Sequence, residues 1–290
     1  MNEKELQKRF LAQGYVTDHA LATTMLLMQR LSRPLLVEGE AGVGKTSIAK
    51  ALTTTLDTEL IRLQCYEGLD TNSAVYEWNY SHQLLWINMN RERGLQDSCD
   101  NDIFSKRFLL ERPLLRAIQH NTPPVLLIDE IDRADESFEA FLLELLSEFQ
   151  ITIPELGTIK ATSIPCVILT SNGTRELSDA LRRRCLYHYI DYPDHAKEIE
   201  IVCNQLPNLQ ADLAKQIVNI VQRLRNMELQ KRPGIAETLD WAKALINLDI
   251  RDLKTTQNDI EGTLSCLLKT QKDRHKINRR SLGELIEILP

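Results

Sequence analysis

The chain has 290 residues, 43% apolar and 26% charged, which suits one large water-soluble domain with a smaller companion. Its net charge of −6 argues against a bulk electrostatic grip on nucleic acid, and no stretch approaches the roughly 18 uncharged apolar residues of a membrane span. The start, Met1-Asn2-Glu3-Lys4-Glu5-Leu6, has no apolar signal core, so a cytoplasmic protein is expected.

Residues 1–13 read as a short amphipathic helix with Leu6, Phe10 and Leu11 on one face. Thr17-Asp18 offers an N-cap for a second helix over Leu21 to Leu31. The apolar run Pro34-Leu35-Leu36-Val37 predicts a buried strand over 34–38. It feeds Gly39-Glu40-Ala41-Gly42-Val43-Gly44-Lys45-Thr46, which matches the phosphate-binding pattern G-x-x-x-x-G-K-[ST] at every specified position. Thr46-Ser47-Ile48-Ala49-Lys50-Ala51-Leu52 leaves it as a helix running to about 55. Strand, glycine loop and helix are the context this motif needs. Glycines let main-chain N–H groups turn in around phosphates where a side chain would collide, and the helix N-terminus adds partial positive charge. Lys45 is expected to reach the β- and γ-phosphates and Thr46 to ligate Mg²⁺, with the nucleotide-binding segment spanning Gly39 to Ser47.

Thr58 to Cys65 alternates and is rich in β-formers, a second strand. Within 66–122, Val75, Trp78, His82, Leu85, Trp86 and Met89 recur at helical spacing and predict an aromatic-rich amphipathic helix covering the core. Residues 94–104 read as a polar loop and Pro113 to His120 as a helix. Val125 to Asp129 is apolar up to its acid, as a central parallel strand is. Asp129 stands where a carboxylate fixes Mg²⁺, directly or through water. Glu130, one residue on, stands where it polarises the attacking water, so the acid pair points to repeated hydrolysis rather than transfer to a small acceptor.

A helix is expected from Asp135 to about Phe149, then two short strands about a turn over 150–160. Ile164 to Thr170 reads as another buried strand, closing on Thr170-Ser171-Asn172. Ligands of open parallel sheets lie at the carboxyl ends of strands, which sets Asn172 to touch the γ-phosphate or hold the water. A helical stretch, Leu177 to Leu181, leads into Arg182-Arg183-Arg184. These arginines read either as a solvated charged face or as a finger reaching a neighbouring subunit's nucleotide, a contact worth roughly 10³–10⁵ in rate. Leu186 to Ile190 is the last strand. After Pro193 the pattern is helical to the end, with breaks at Pro207 and Pro233-Gly234, so the expected domains are 1–193 and 194–290. The six cysteines (Cys65, Cys99, Cys166, Cys185, Cys203, Cys266) contain no C-x-x-C pair, and the six histidines form no metal-binding spacing.

Taken together, GEAGVGKT (39–46), LLIDEIDRAD (126–135), QITIPELGTIKA (150–161), TSN (170–172), ELSDALRRRC (176–185) and KRPGIAETLDWAKAL (231–245) resemble the AAA+ ATPases over nearly the whole chain. Within them the match is to the MoxR family and its CoxD-like branch. The resemblance implies an α/β fold: a P-loop NTPase three-layer αβα core with a parallel sheet in the order 5-1-4-3-2, plus a small C-terminal helical lid. It implies a hexameric ring with ATP and Mg²⁺ between subunits. It carries over Lys45 and Thr46 as Walker A, Asp129 and Glu130 as Walker B, Asn172 as sensor 1, and Arg184 as the finger with Arg183 as runner-up. The hairpin at 150–161 resembles the helix-2 insert of this clade, set inside the helix after Walker B and facing the pore or the client.

The implied activity is ATP hydrolysis used in a chaperone-like way to remodel or mature a client. The implied partner carries a von Willebrand factor A domain, and the client of the CoxD-like branch resembles a molybdenum hydroxylase. One place departs from the pattern. Where MoxR proteins carry the sensor 2 arginine, this chain reads Pro233-Gly234-Ile235-Ala236-Glu237, so either Arg232 or Lys231 substitutes or the sensor is absent. Two rival readings stay open. One is a DNA-acting AAA+ motor or loader, supported by the arginines at 182–184 and by Lys276 to Arg280. The other is a nucleotide-gated scaffold with little intrinsic turnover, against which Glu130 stands.

Overall fold

The computed structural model describes residues 2–92, 103–254 and 257–277, together with Gly283 and Leu285. The expected polar loop lies, up to residue 102, outside the described residues, as do Cys99 and positions 278–280 of the basic stretch. The chain divides into two compact units. One is built from Thr23–Glu38 and Leu52–His188, the other from residues 1–22, Gly39–Ala51 and Tyr189 onward.

The first unit is organised by a sheet of β1 (Leu35–Gly39), β2 (Leu60–Gln64), β5 (Val125–Asp129), β8 (Cys166–Ser171) and β9 (Leu186–Ile190), in the order β2-β5-β8-β1-β9. Counting these five strands along the chain gives 5-1-4-3-2 from the β9 edge, the order the resemblance implies. The pairs β1–β8, β2–β5 and β5–β8 are parallel, with Glu38 opposite Ser171 and Gln64 opposite Asp129. Every residue of β5 is buried, as expected for a parallel strand covered on both faces. Leu126 and Ile128 face one core with Leu114, Ile118, Leu142, Leu145 and Leu181. Each such buried aliphatic contributes about 1.5–3 kcal/mol.

Between β2 and β5 the structure corrects the expected continuous helix over 75–89. The chain forms α4 (Thr71–Val75), then β3 (Tyr76–Trp78), then α5 (Tyr80–Glu92). β3 pairs antiparallel with β4 (Leu109–Glu111), a partner about thirty residues away that no local period reveals. Asn79 ends the strand by donating its amide to Phe108 O at 2.8 Å, and starts α5 by accepting from the His82 amide at 3.0 Å. Leu85 and Met89, expected on the core face, are 61% and 51% exposed, while Gln83 and Asn90 are buried. α6 (Pro113–Gln119) begins on its proline, as the N1 position favours.

α7 (Glu136–Glu148) follows β5, capped by the Asp135 carboxylate on the Phe138 amide at 2.8 Å. Phe149, at φ +48°, turns the chain out of the helix into the antiparallel pair β6 (Gln150–Ile153) and β7 (Gly157–Lys160). This hairpin follows α7 and precedes β8; it does not lie inside a helix. The segment set between two packed helices is instead β3–α5–β4, since α4 and α6 pack on each other. α8 (Asp179–Arg184) then leads into β9.

The second unit contains α1 (Glu3–Ala12), most of α3 (Lys45–Leu56) and the helices α9 (His195–Gln205), α10 (Ala211–Asn226), α11 (Ile235–Asn247), α12 (Gln257–Thr263) and α13 (Gln271–Lys276). On α1, Leu6 and Phe10 are buried, but Leu11 turns outward at 41% exposure. α2 (His19–Leu31) starts where Asp18 accepts from the Leu21 amide at 2.8 Å. α10 lays Leu213, Ile217, Val221 and Leu224 against Trp241 and Leu245 of α11, the spacing of an amphipathic stripe. A fully buried ion pair crosses this core. Arg225 donates to both oxygens of Glu198 at 2.6 and 2.7 Å, Thr238 and Gln222 donate to the same carboxylate, and Arg225 Nε donates to Pro233 O. Among the described residues no helix is long and apolar enough to cross a membrane.

Candidate functional site

The phosphate loop has the backbone its glycines predict. Gly42 and Gly44 sit at φ +80° and +97°, a region closed to most side chains. A Cβ on Gly39 would lie 2.3 Å from Ile190 O, so only glycine lets β9 approach there. Lys45 is 7% exposed, and its ammonium donates to Gly39 O and Glu40 O at 2.7 Å each, curled into the loop. Thr46 and Ser47 follow it in the first turn of α3. Beside the loop, Tyr15, Val16, Ile190, Ile201, Ile235 and Leu239 line a cavity of about 90 Å³ that also touches Val43, Gly44 and Ser47. Burial pushes the Tyr15 hydroxyl well above its ordinary pKa, so it stays protonated.

The Pro233-Gly234 segment lies directly on this loop. A Cβ on Gly234 would stand 2.9 Å from Gly42 C and O, and Ala236 donates its amide to Gly42 O at 3.2 Å. Glu237 accepts from the Gly234 amide at 3.0 Å, closing the first turn of α11. The place where an arginine is missing is therefore occupied by main-chain contact. Lys231, Arg232 and Lys269 line a separate cavity of about 430 Å³ with Glu40 and Ala41.

In the other unit the acids at the end of β5 are held from several sides. Asp129, 3% exposed, accepts from the Thr170 hydroxyl at 2.6 Å and from Arg62 at 2.5 Å. Glu130 sits at φ +56°, a left-handed conformation unusual for a glutamate, and its amide donates to Thr170 Oγ1 at 2.9 Å. Its carboxylate takes Gln64 Nε2 at 3.0 Å, Arg133 Nε at 2.9 Å and Asn172 Nδ2 at 3.5 Å. Asp132 accepts from the Asn172 amide, the Thr174 amide and the Thr174 hydroxyl. Burial opposes its charge, but those Thr174 and Asn172 hydrogen bonds outweigh it and hold the carboxyl below its ordinary pKa. Cys65, beside these acids, has its thiol pushed up to about 12 by burial and then by Asp129, which keeps it protonated and inert.

Arg183 and Arg184 are exposed at the end of α8. Arg33 donates to the carbonyls of Arg183, Arg184 and Cys185 at 2.6, 3.2 and 3.5 Å, satisfying the helix end. Arg184 Nε donates to Ser147 Oγ at 2.5 Å, and Arg182 pairs with Glu38 at 3.4 Å.

Two groups of expected residues are thus each drawn together: Gly39 to Ser47 in one unit, and Asp129, Glu130 and Asn172 in the other. Sequence reasoning missed Arg62, Gln64, Asp132 and Arg133. A polar residue closing an apolar strand was the available signal for Gln64, and its register partner Asp129 explains its place.

A glycine loop cradling an inward lysine, with paired acids at the end of a buried parallel strand, defines a P-loop ATPase. Residues 35–191 match the ATPase family associated with various cellular activities (AAA), and the chain belongs to that family. It is 28% identical over 255 residues to an uncharacterised protein of Staphylococcus aureus (strain bovine RF122 / ET3-1), covering 85% of this chain and 89% of that one. It is 26% identical over 269 residues to an uncharacterised protein of Staphylococcus haemolyticus (strain JCSC1435), covering 90% and 94%. It is also 23% identical over 288 residues to the gas vesicle ATPase GvpN of Haloferax mediterranei, covering 94% and 81%. Among solved structures, a mutant of Thermotoga maritima RuvB aligns with a TM-score of 0.49 and 17% identity, over 97% of this chain and 73% of that one.

Proposed function

We propose that the protein hydrolyses ATP with Mg²⁺ as a ring-forming, MoxR-type AAA+ ATPase of the CoxD-like branch, and uses the resulting conformational change to remodel or mature a client. The observation that carries the reading is the Glu130 carboxylate. It projects from a left-handed turn at the carboxyl end of the sheet, held by Gln64, Arg133 and Asn172, which is the placement a water-activating base needs.

The residues fit the nucleotide and its metal. Amides at the start of α3 and the inward Lys45 offer donors to a polyphosphate, and the adjoining cavity offers apolar walls to a base. Thr46 and Asp129 would supply the hard oxygen ligands that Mg²⁺ prefers. Magnesium, when bound, neutralises charge on the transferring phosphoryl group. Thr170 and Arg62 hold the Asp129 carboxylate in place. Asn172 would touch the terminal phosphate or align the water that Glu130 deprotonates. Arg184, with Arg183 as the alternate, would complete the site of a neighbouring subunit in a hexamer.

In this reading residues 1–193 act as the ATPase core and 194–290 as the lid, and the protein works in the cytoplasm. A von Willebrand factor A domain protein is the proposed partner, and a metalloenzyme such as a molybdenum hydroxylase the proposed client. Binding and turnover separate the roles. Lys45→Ala should abolish Mg-ATP binding by calorimetry. Glu130→Gln should bind ATP within about twofold of wild type while turnover falls at least about a hundredfold. Full turnover in Glu130→Gln would overturn the assignment of the base.

A further inference from the structure

We propose that two buried acids, Asp132 and Glu139, bracket the loop 172–178 so that Asn172 and the helix bearing Arg183 and Arg184 move as one, and that Glu139 is a positioning residue acting through that helix on a neighbouring subunit's nucleotide. The proposal rests on the reading above, in which those arginines serve the neighbour.

Both acids are almost fully buried, at 3% and 1% exposure, and neither belongs to the phosphate loop or the hydrolytic pair. Asp132, two residues past Glu130, takes the amides of Asn172 at 3.2 Å and Thr174 at 3.0 Å, and the Thr174 hydroxyl at 2.6 Å. One residue further along the loop, Arg175 donates to Ala134 O at 2.7 Å and pairs with Glu139 of α7. The second oxygen of Glu139 accepts from the Ser178 amide at 2.9 Å, and Ser178 caps α8 through the Leu181 amide. At the other end of α8, Arg184 rests on Ser147, two turns further along α7 than Glu139. α7 therefore grips both ends of the arginine helix, and α7 begins shortly after Glu130.

A buried carboxylate is costly unless its oxygens are satisfied, and an apolar residue would fill either position at less cost to folding. What the acids provide is direction. Besides the Thr174 hydroxyl and the Arg175 guanidinium, they take the main-chain amides of Asn172, Thr174 and Ser178, which fixes the path of the loop as well as the packing of side chains. The fixed path runs from the Glu130–Asn172 contact through Thr174 and Arg175 to Ser178 and α8. A change in how Asn172 sits on the nucleotide is thereby carried to the arginines presented next door.

Subunit mixing tests this with full-length protein. Glu139→Gln should bind Mg-ATP within about twofold of wild type and keep its KM, while turnover falls at least about tenfold. Mixed with Lys45→Ala subunits, whose own sites are dead but whose arginines are intact, it should recover activity above the sum of the two alone. Arg184→Ala, or Arg183→Ala, mixed with Lys45→Ala is the control for the arginines acting across subunits. Should that control recover activity while the Glu139→Gln mixture does not, Glu139 does not act through the helix and the proposal fails. Should neither arginine control recover, the trans-acting reading fails and takes this proposal with it. If Glu139→Gln loses nucleotide binding through misfolding, Arg175→Gln removes the more exposed partner of the same pair and must show the same recovery.

Discussion

Gly234 illustrates how a single residue without a functional group shapes this site. Its φ of −84° is open to any residue, so its identity is not set by backbone strain. Space sets it: a methyl group there would meet the main chain of Gly42 at 2.9 Å, and main chain gives way less readily than the tip of a side chain. Relieving such a clash costs about 1–3 kcal/mol. Gly234→Ala should therefore shift the phosphate loop, weaken Mg-ATP binding about tenfold in a titration, and lower stability by about the same 1–3 kcal/mol. Unchanged affinity would show that the loop adapts. Glu130 and Gln64 carry a related lesson. The acid pair stands out along the chain, but the amide that orients it comes from a strand sixty-odd residues earlier.

Among the elements, α9, α10 and α11 are joined by more than their apolar stripe. Glu198 and Arg225 are both at 5% exposure or less and form a bidentate pair, with Thr238 and Gln222 filling the remaining positions on the carboxylate. Breaking such a pair from one side leaves an uncompensated buried charge and costs about 3–5 kcal/mol. Arg225→Met should lower the denaturation midpoint accordingly, and adding Glu198→Leu should restore much of the loss, because the orphaned carboxylate is then gone. Arg225 Nε also holds Pro233 O, next to Gly234, so the single variant should weaken nucleotide binding as well. At the same scale, the segment between β2 and β5 escaped a periodicity reading. Tyr76-Glu77-Trp78 continues a plausible helical spacing, but a pairing partner at Leu109–Glu111 was available, and the strand won.

Over the molecule as a whole, nucleotide binding and folding are linked. Ligand present at a hundredfold excess over its Kd adds about 2.7 kcal/mol to the stability of whatever folds to bind it. Mg-ATP should therefore raise the melting temperature of Glu130→Gln protein by several degrees and leave Lys45→Ala unmoved. Chelating the magnesium should remove most of the gain. A melting curve that ignores nucleotide would overturn the proposed site.

Features that depend on nearest neighbours were legible in the chain alone: the glycine loop with its lysine, the apolar strand ending on Asp129 and Glu130, and the run of helices after Pro193. Each follows from local chemistry, whether a φ only glycine adopts, a period of side-chain burial, or a proline that ends a helix. What depends on residues far apart in the chain emerged only on folding. Folding laid Gly234 on Gly42, set Gln64 against Glu130, broke the 75–89 helix, and buried Asp132 and Glu139. These contacts bring together segments tens to nearly two hundred residues apart, and their energies come from packing and hydrogen bonds that exist only once the sheet has ordered its strands.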